Sequence, residues 1–194
     1  MKRKVARTGL LAAAALTVLL AACTDENIPP TPLPTSAAPA SAATSPSAAP
    51  SAAVETPEQA KKNATDAYIG MWNAFMKASE LGDPAYADLP KYTHGLALTR
   101  LAEGLKANQA NGLLSRGQAI YHPKVESFAP PTAPTKVSIR DCMDTSKTTL
   151  YKADGSPYKD TPGGLRLVLA DVERIDGAWK VTSFGAREVG SCTV

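Results

Sequence analysis

The chain has 194 residues, 44% of them hydrophobic and 20% charged, with 21 Lys and Arg against 18 Asp and Glu. Four of the basic residues, Lys2, Arg3, Lys4 and Arg7, stand ahead of position 23, and beyond it 17 basic residues meet 18 acidic ones, a net of −1. That balance excludes the basic footprint a nucleic-acid partner requires. The 2 histidines and 3 cysteines form neither a zinc-finger nor an HExxH spacing, so no metal and no cofactor is expected.

Residues 1–22 read as a secretory signal peptide. A basic start leads into Gly9 to Ala22, 14 residues with Thr17 as the one polar member, and the small residues Ala21 and Ala22 precede Cys23. The alternative is a membrane anchor that stays on the protein. At ~1.5 Å per residue this run falls short of a ~30 Å hydrocarbon core, which argues for the signal peptide.

The stretch Leu20-Ala21-Ala22-Cys23 resembles the bacterial lipobox: an aliphatic residue and two small ones before a cysteine, at the end of a signal peptide. The resemblance implies that the Cys23 thiol receives a diacylglyceryl group and that a peptidase cuts before it. Cys23 is then the lipid attachment site, a tether and not a nucleophile. Two acyl chains anchor stably, at ~0.8 kcal/mol per buried CH₂, where one binds only marginally. The expected partner through Cys23 is the membrane, and the expected location is the extracytoplasmic face of the cell membrane.

Residues 23–55 follow as a linker. Seven prolines fall between Pro29 and Pro50, no aromatic residue is present, and the remainder is mostly Ala, Ser and Thr. Such a composition buries too little apolar surface to offset the entropy of ordering. The segment is expected to be disordered and to act as a spacer, extended at ~3.1 Å per residue where polyproline-like.

The folded part is expected at 56–194, a normal size for one domain. Thr56-Pro57-Glu58-Gln59 carries Thr at the N-cap, Pro at N1 and Gln at N3. Small or apolar residues then recur at Ala60, Ala64, Ala67, Tyr68, Met71, Trp72, Phe75 and Ala78, which predicts a helix over 57–81 ended by Gly82 and Pro84. A short helical stretch fits Pro84 to Tyr92, broken by His94-Gly95, and a third helix fits Leu96 to Ala110 with Asn111-Gly112 as its stop.

From Gln118 the texture turns to β. Ile120, Val125 and Phe128 suggest one strand, interrupted by Pro123, and Val137, Ile139 and Asp141 alternate in the next, ending near Cys142. A turn is expected at Asp154-Gly155. Leu165, Leu167 and Leu169 alternate with Arg166, Val168 and Ala170, and Asp176-Gly177 turns into Trp179-Lys180-Val181. Three helices ahead of about four antiparallel strands read as α+β, with the N-terminal helices packed on a curved antiparallel sheet.

Cys142 and Cys192 remain after Cys23. In an exported chain, parity and compartment favour a disulfide between them. Two free thiols or a metal pair are the alternatives.

The aromatic-rich first helix, the helical middle and the closing stretch VERIDGAWKVTSF, Val172 to Phe184, resemble the NTF2-like superfamily, which includes SnoaL-like and ketosteroid-isomerase-like proteins. The resemblance implies a cone of helices and sheet with a pocket inside. The chain departs from the family pattern in showing no strand pair between the second and third helices. The enzymes of the family place part of the pocket and the usual general base there, so no catalytic residue carries over.

Tyr68, Trp72 and Phe75 share one helical face and suit either core packing or a pocket wall. Asp141 and Asp144 flank Cys142; acid–base work is one reading, and strand-end solvation or pairing with Arg140 the favoured one. His94, after a helix end, and His122, ahead of Pro123, have no nameable orienting partner and read as structural. The possible pocket is therefore Tyr68, Trp72, Phe75 and Asp141, with no catalytic and no metal residue. The expected function is a lipid-anchored extracytoplasmic binding or scaffolding module without catalysis, its partner an envelope protein or a small hydrophobic ligand. The alternative is a SnoaL-like or isomerase-like enzyme acting on a small hydrophobic molecule.

Overall fold

The structure, a computed structural model, describes residues 55–194. The signal peptide, Cys23 and the Pro-rich segment up to position 54 lie outside the described residues.

Helix α1 spans Pro57–Leu81. Thr56 is its N-cap: the hydroxyl accepts from the Gln59 N–H at 3.3 Å, and the Gln59 side chain accepts from the Thr56 N–H at 3.1 Å. This reciprocal pair satisfies two of the donors a helix start leaves open. The helix stops at Gly82, whose φ of 65° is the left-handed conformation glycine adopts at low cost, with its N–H returned to the Ala78 carbonyl. Helix α2 is a single turn, Leu89–Tyr92, shorter than the stretch from Pro84 that the sequence suggests. Helix α3 runs Gly95–Ala110. Between them the His94 N–H donates to the Val181 carbonyl at 2.9 Å, which ties this junction to the sheet.

Six strands follow: β1 Leu113–Arg116, β2 Pro123–Ala129, β3 Lys136–Asp144, β4 Thr149–Lys152, β5 Leu165–Ile175 and β6 Ala178–Ala186. The main sheet has the order β2-β3-β5-β6, antiparallel throughout, and β1 pairs with β4 in a separate two-stranded sheet. β1 and β4 are the elements the sequence reading omits. Asp176 at φ 50° and Gly177 at φ 81° form the β5–β6 hairpin turn, two positive φ values in succession, as a tight two-residue loop requires.

Period-2 alternation sets the buried face of the sheet. Val137, Ile139, Asp141 and Met143 of β3, Val168, Ala170 and Val172 of β5, and Trp179 and Val181 of β6 are buried. They meet Ala64, Tyr68, Met71 and Trp72 of α1 and Leu101 and Leu105 of α3 in one core. The three leucines of β5 lie out of phase with this face, and Leu169 is 40% exposed. The architecture is thus α+β, with helices packed on one face of an antiparallel sheet. Gly70 marks a close approach of α1 to α2: a Cβ there would stand 2.5 Å from the Tyr92 ring.

Cys142 and Cys192 are joined by a disulfide, with Cα atoms 5.8 Å apart. Cys142 sits opposite Leu167 in the β3–β5 register. Beyond β6 the tail continues along β5: the Arg187 N–H donates to the Leu167 carbonyl at 2.9 Å, the Gly190 N–H to the Leu165 carbonyl at 2.7 Å, and the Leu167 N–H to Ser191 Oγ at 2.9 Å. The tail therefore covers backbone groups at the start of β5, where β6 has ended, before the bridge takes it to β3.

Candidate functional site

Asp141 is the buried carboxylate of the domain. It is in phase with Val137 and Ile139, so the strand carries it to the inner face, where it has no solvent exposure. The Tyr68 hydroxyl donates to Oδ2 at 2.9 Å and the His122 backbone N–H donates to Oδ1 at 2.7 Å. Burial raises its pKa above the ordinary carboxylate range, and the hydrogen bonds from His122 and Tyr68 oppose that rise. Burial, with the Asp141 charge adding to it, pushes Tyr68 well above the usual phenol range and Tyr121 up to about 12. The expected solvation or Arg140 pairing of Asp141 does not occur. Arg140 lies on the opposite face, 3.9 Å from Glu126, because alternate residues of a strand point to opposite sides.

Asp144, by contrast, is at the strand end. Its Oδ1 accepts from the Ser146 N–H at 2.8 Å, and that bond holds its pKa below the ordinary range. His94 is exposed and is the N-cap of α3, so it starts a helix as well as following one; a cation gains nothing from that helix end. The His122 ring places Nδ1 3.0 Å from the Cys142 carbonyl, a structural contact.

A pocket of about 320 Å³ opens between α1, the β1–β4 pair and the inner ends of β3 and β5. Its apolar wall is Trp72, Phe75, Met76, Ala119, Met143 and Leu150. Trp72 packs edge-to-face on Tyr68, Phe75 and Phe184, with ring centroids 6.3, 6.0 and 5.2 Å away, so this wall is continuous with the core and rigid. Of the sequence-derived pocket residues, Trp72 and Phe75 lie on the wall; Tyr68 and Asp141 lie behind it as a hydrogen-bonded pair.

The polar wall comes from residues the sequence reading does not single out, among them Ser115, Asp160 and Arg166. Ser115 Oγ and Arg166 Nε are buried without a hydrogen-bond partner among the described residues. The Trp72 indole N–H is also without a hydrogen-bond partner among the described residues. Asp160 is satisfied: Oδ2 accepts from the Leu150 N–H at 2.7 Å and Oδ1 from the Thr161 N–H at 2.8 Å. A cation in phase with Val168 and Ala170 is a readable sign for Arg166. Ser115 carries none, since no local pattern marks β1 itself.

No protein-family model and no curated protein matches the chain. Solved structures resemble it at low identity. The intermembrane space region of the chloroplast protein ARC6 aligns at 13% identity and a TM-score of 0.49, over 64% of this chain and 94% of that one. Aln2 from a Streptomyces species aligns at 15% and 0.43, over 69% and 92%. A protein of the NTF2-like family from Streptomyces avermitilis aligns at 16% and 0.41, over 69% and 99%. Likenesses at this level assign neither an activity nor a ligand.

Proposed function

We propose that the chain is a lipid-anchored extracytoplasmic protein whose folded domain, NTF2-like in kind, binds a small and largely apolar molecule without transforming it. The anchor rests on the sequence: the signal-peptide pattern, the lipobox-like stretch ending at Cys23 and the Pro-rich spacer behind it. The NTF2-like assignment rests on the element order and the Val172–Phe184 hairpin.

The observation that carries the binding reading is the pocket. Its volume of about 320 Å³ falls at the lower end of the ~300–1,000 Å³ usual for small-molecule sites, and its aromatic wall is held by core packing. An enzyme of the SnoaL-like or isomerase-like type requires a base within reach of a substrate proton. Asp141 lies off the pocket wall with one donor on each oxygen, and Asp160, on the wall, has both oxygens occupied by backbone N–H groups. Asp141 is thus set back from the cavity, and Asp160 is held by backbone donors in a structural turn.

The test uses a neutral apolar fluorophore, N-phenyl-1-naphthylamine, titrated into the chain carrying Cys23→Ser. Saturable binding at one site is expected, and Ala119→Phe, which fills the pocket, is expected to abolish it. Absence of saturable binding, or binding that survives Ala119→Phe, overturns the reading.

A further inference from the structure

The pocket is apolar on one side and polar on the other, and the Arg166 guanidinium on the polar side has no ion-pair partner among the described residues. Arg166 projects from the inner face of β5, opposite Met143 in the β3–β5 register. Among the described residues no carboxylate lies within 4.0 Å of its guanidinium; the ion pairs present are all elsewhere. Its Nε is already shut off from water and bonded to nothing. A guanidinium offers five donors in a planar fork and does not lose its proton, so partial burial without an acceptor is unfavourable. Ser115, 5% exposed, leaves a second buried polar atom, its hydroxyl, unsatisfied in the lining of the same pocket. Buried polar groups are nearly always paired, and exceptions gathered in one cavity call for an acceptor from outside.

The one acid on the wall does not supply that acceptor. Asp160 accepts from the Leu150 and Thr161 N–H groups and forms no ion pair with the guanidinium, which leaves the Arg166 donors without an acceptor among the described residues. The geometry points to a ligand with a carboxylate at one end and a short apolar body: the carboxylate pairs with the Arg166 fork and the Ser115 hydroxyl, and the body packs on Trp72, Phe75 and Leu150. An Arg–carboxylate pair in such a setting is the strong, charge-assisted form of the hydrogen bond. This assignment rests on the binding reading above and adds the chemical class of the ligand.

The experiment displaces N-phenyl-1-naphthylamine from the Cys23→Ser chain with octanoate, 1-octanol and octylamine, three probes with the same apolar tail. Octanoate is expected to displace at a concentration at least about tenfold lower than either of the others. Arg166→Met, with a native circular dichroism spectrum, is expected to erase that preference, read as the ratio of the octanoate and octanol displacement midpoints on the same variant; Arg166→Lys is expected to keep part of it. Should Arg166→Met not fold, Ser115→Ala is the second variant, expected to narrow the preference. Equal displacement by octanol and octanoate, no displacement by any of the three, or a preference that survives Arg166→Met overturns the carboxylate assignment and leaves the pocket reading standing. Failure of the fluorophore itself to bind overturns both.

Discussion

Tyr68 and Asp141, separated by 73 positions in the chain, share a 2.9 Å hydrogen bond in the core, and neither has measurable solvent exposure. The pair joins α1 to β3 and anchors the centre of the domain through a carboxylate whose charge is disfavoured by its surroundings.

This makes Asp141 a pH-dependent element with a definite sign. Its pKa is raised on folding, so the folded state holds the proton more tightly than the unfolded chain. Its contribution to stability is fully present below the unfolded carboxylate value of ~3.9 and is lost as pH rises through the folded value. Asp141→Asn is expected to remove this component. The amide oxygen keeps the His122 N–H and the amide NH₂ donates to a Tyr68 hydroxyl turned the other way. Tyr68→Phe, which strips a donor from a buried carboxylate, is expected to cost about 1–3 kcal/mol at neutral pH. Urea melts of the wild type and Asp141→Asn between pH 3.5 and 7 check the first point; identical pH slopes would remove Asp141 from the account.

The Cys142–Cys192 bridge closes a loop with a sequence separation of 50. In the chain-entropy model such a bridge stabilises by roughly 4 kcal/mol. Reduction is expected to lower stability by about 2–4 kcal/mol while far-ultraviolet circular dichroism persists, because the tail adds to β5 without forming the core. A free-thiol count on the unfolded, unreduced Cys23→Ser chain should read zero, and two reactive thiols would contradict the bridge.

Glu55, the last residue of the expected linker, is bonded to the folded part. Its carboxylate accepts from Trp179 Nε1 at 2.9 Å, lies 3.8 Å from the Arg174 guanidinium and accepts from the Asn63 amide. Trp179 is only 7% exposed, so Glu55→Ala strands its N–H and is expected to cost about 1–3 kcal/mol. Deleting residues 29–50, which leaves Glu55 in place, is expected to leave the melting temperature unchanged. A comparable drop from both changes would mean that the Pro-rich segment packs on the domain.

Cys23→Ser is expected to move the protein from the detergent phase to the aqueous phase in a partition assay and to release it from membranes. Retention of the variant in the membrane, with residues 1–22 still attached, would favour the retained-anchor alternative.

The local signals are legible in the sequence. Thr56, Pro57 and Gln59 announce the start of α1 because capping is chemistry within four residues, and Gly82 announces its end for the same reason. Asp176-Gly177 announces the last hairpin. The pairing of Cys142 with Cys192 is the one that parity favours once export is expected. What escapes the sequence is long-range. β1 and β4 are four residues each and exist only because Leu113 pairs with Lys152 and Arg116 with Thr149, partners that no local pattern names. On β5 both faces are apolar, so hydropathy does not tell Leu165, Leu167 and Leu169 from the truly buried Val168, Ala170 and Val172. Asp141 is the instructive case: it stands in phase with Val137 and Ile139, and phase outweighs the usual preference of acids for the surface when Tyr68 and a backbone N–H await it.

β5 also separates two mechanical regions. Glu55 engages Arg174 near the far end of the strand, whereas Arg166 lies eight residues back toward its start, roughly 26 Å away at ~3.3 Å per residue. A pull delivered through the chain ahead of Glu55 is borne by the β5–β6 hairpin and the first turns of α1, through Trp179, Arg174 and Asn63. The pocket and the Cys142–Cys192 bridge lie toward the opposite end of the strand. Under the proposed anchoring, a pull from the N-terminal side would enter the domain at its hairpin end, away from the part of β5 that carries Arg166.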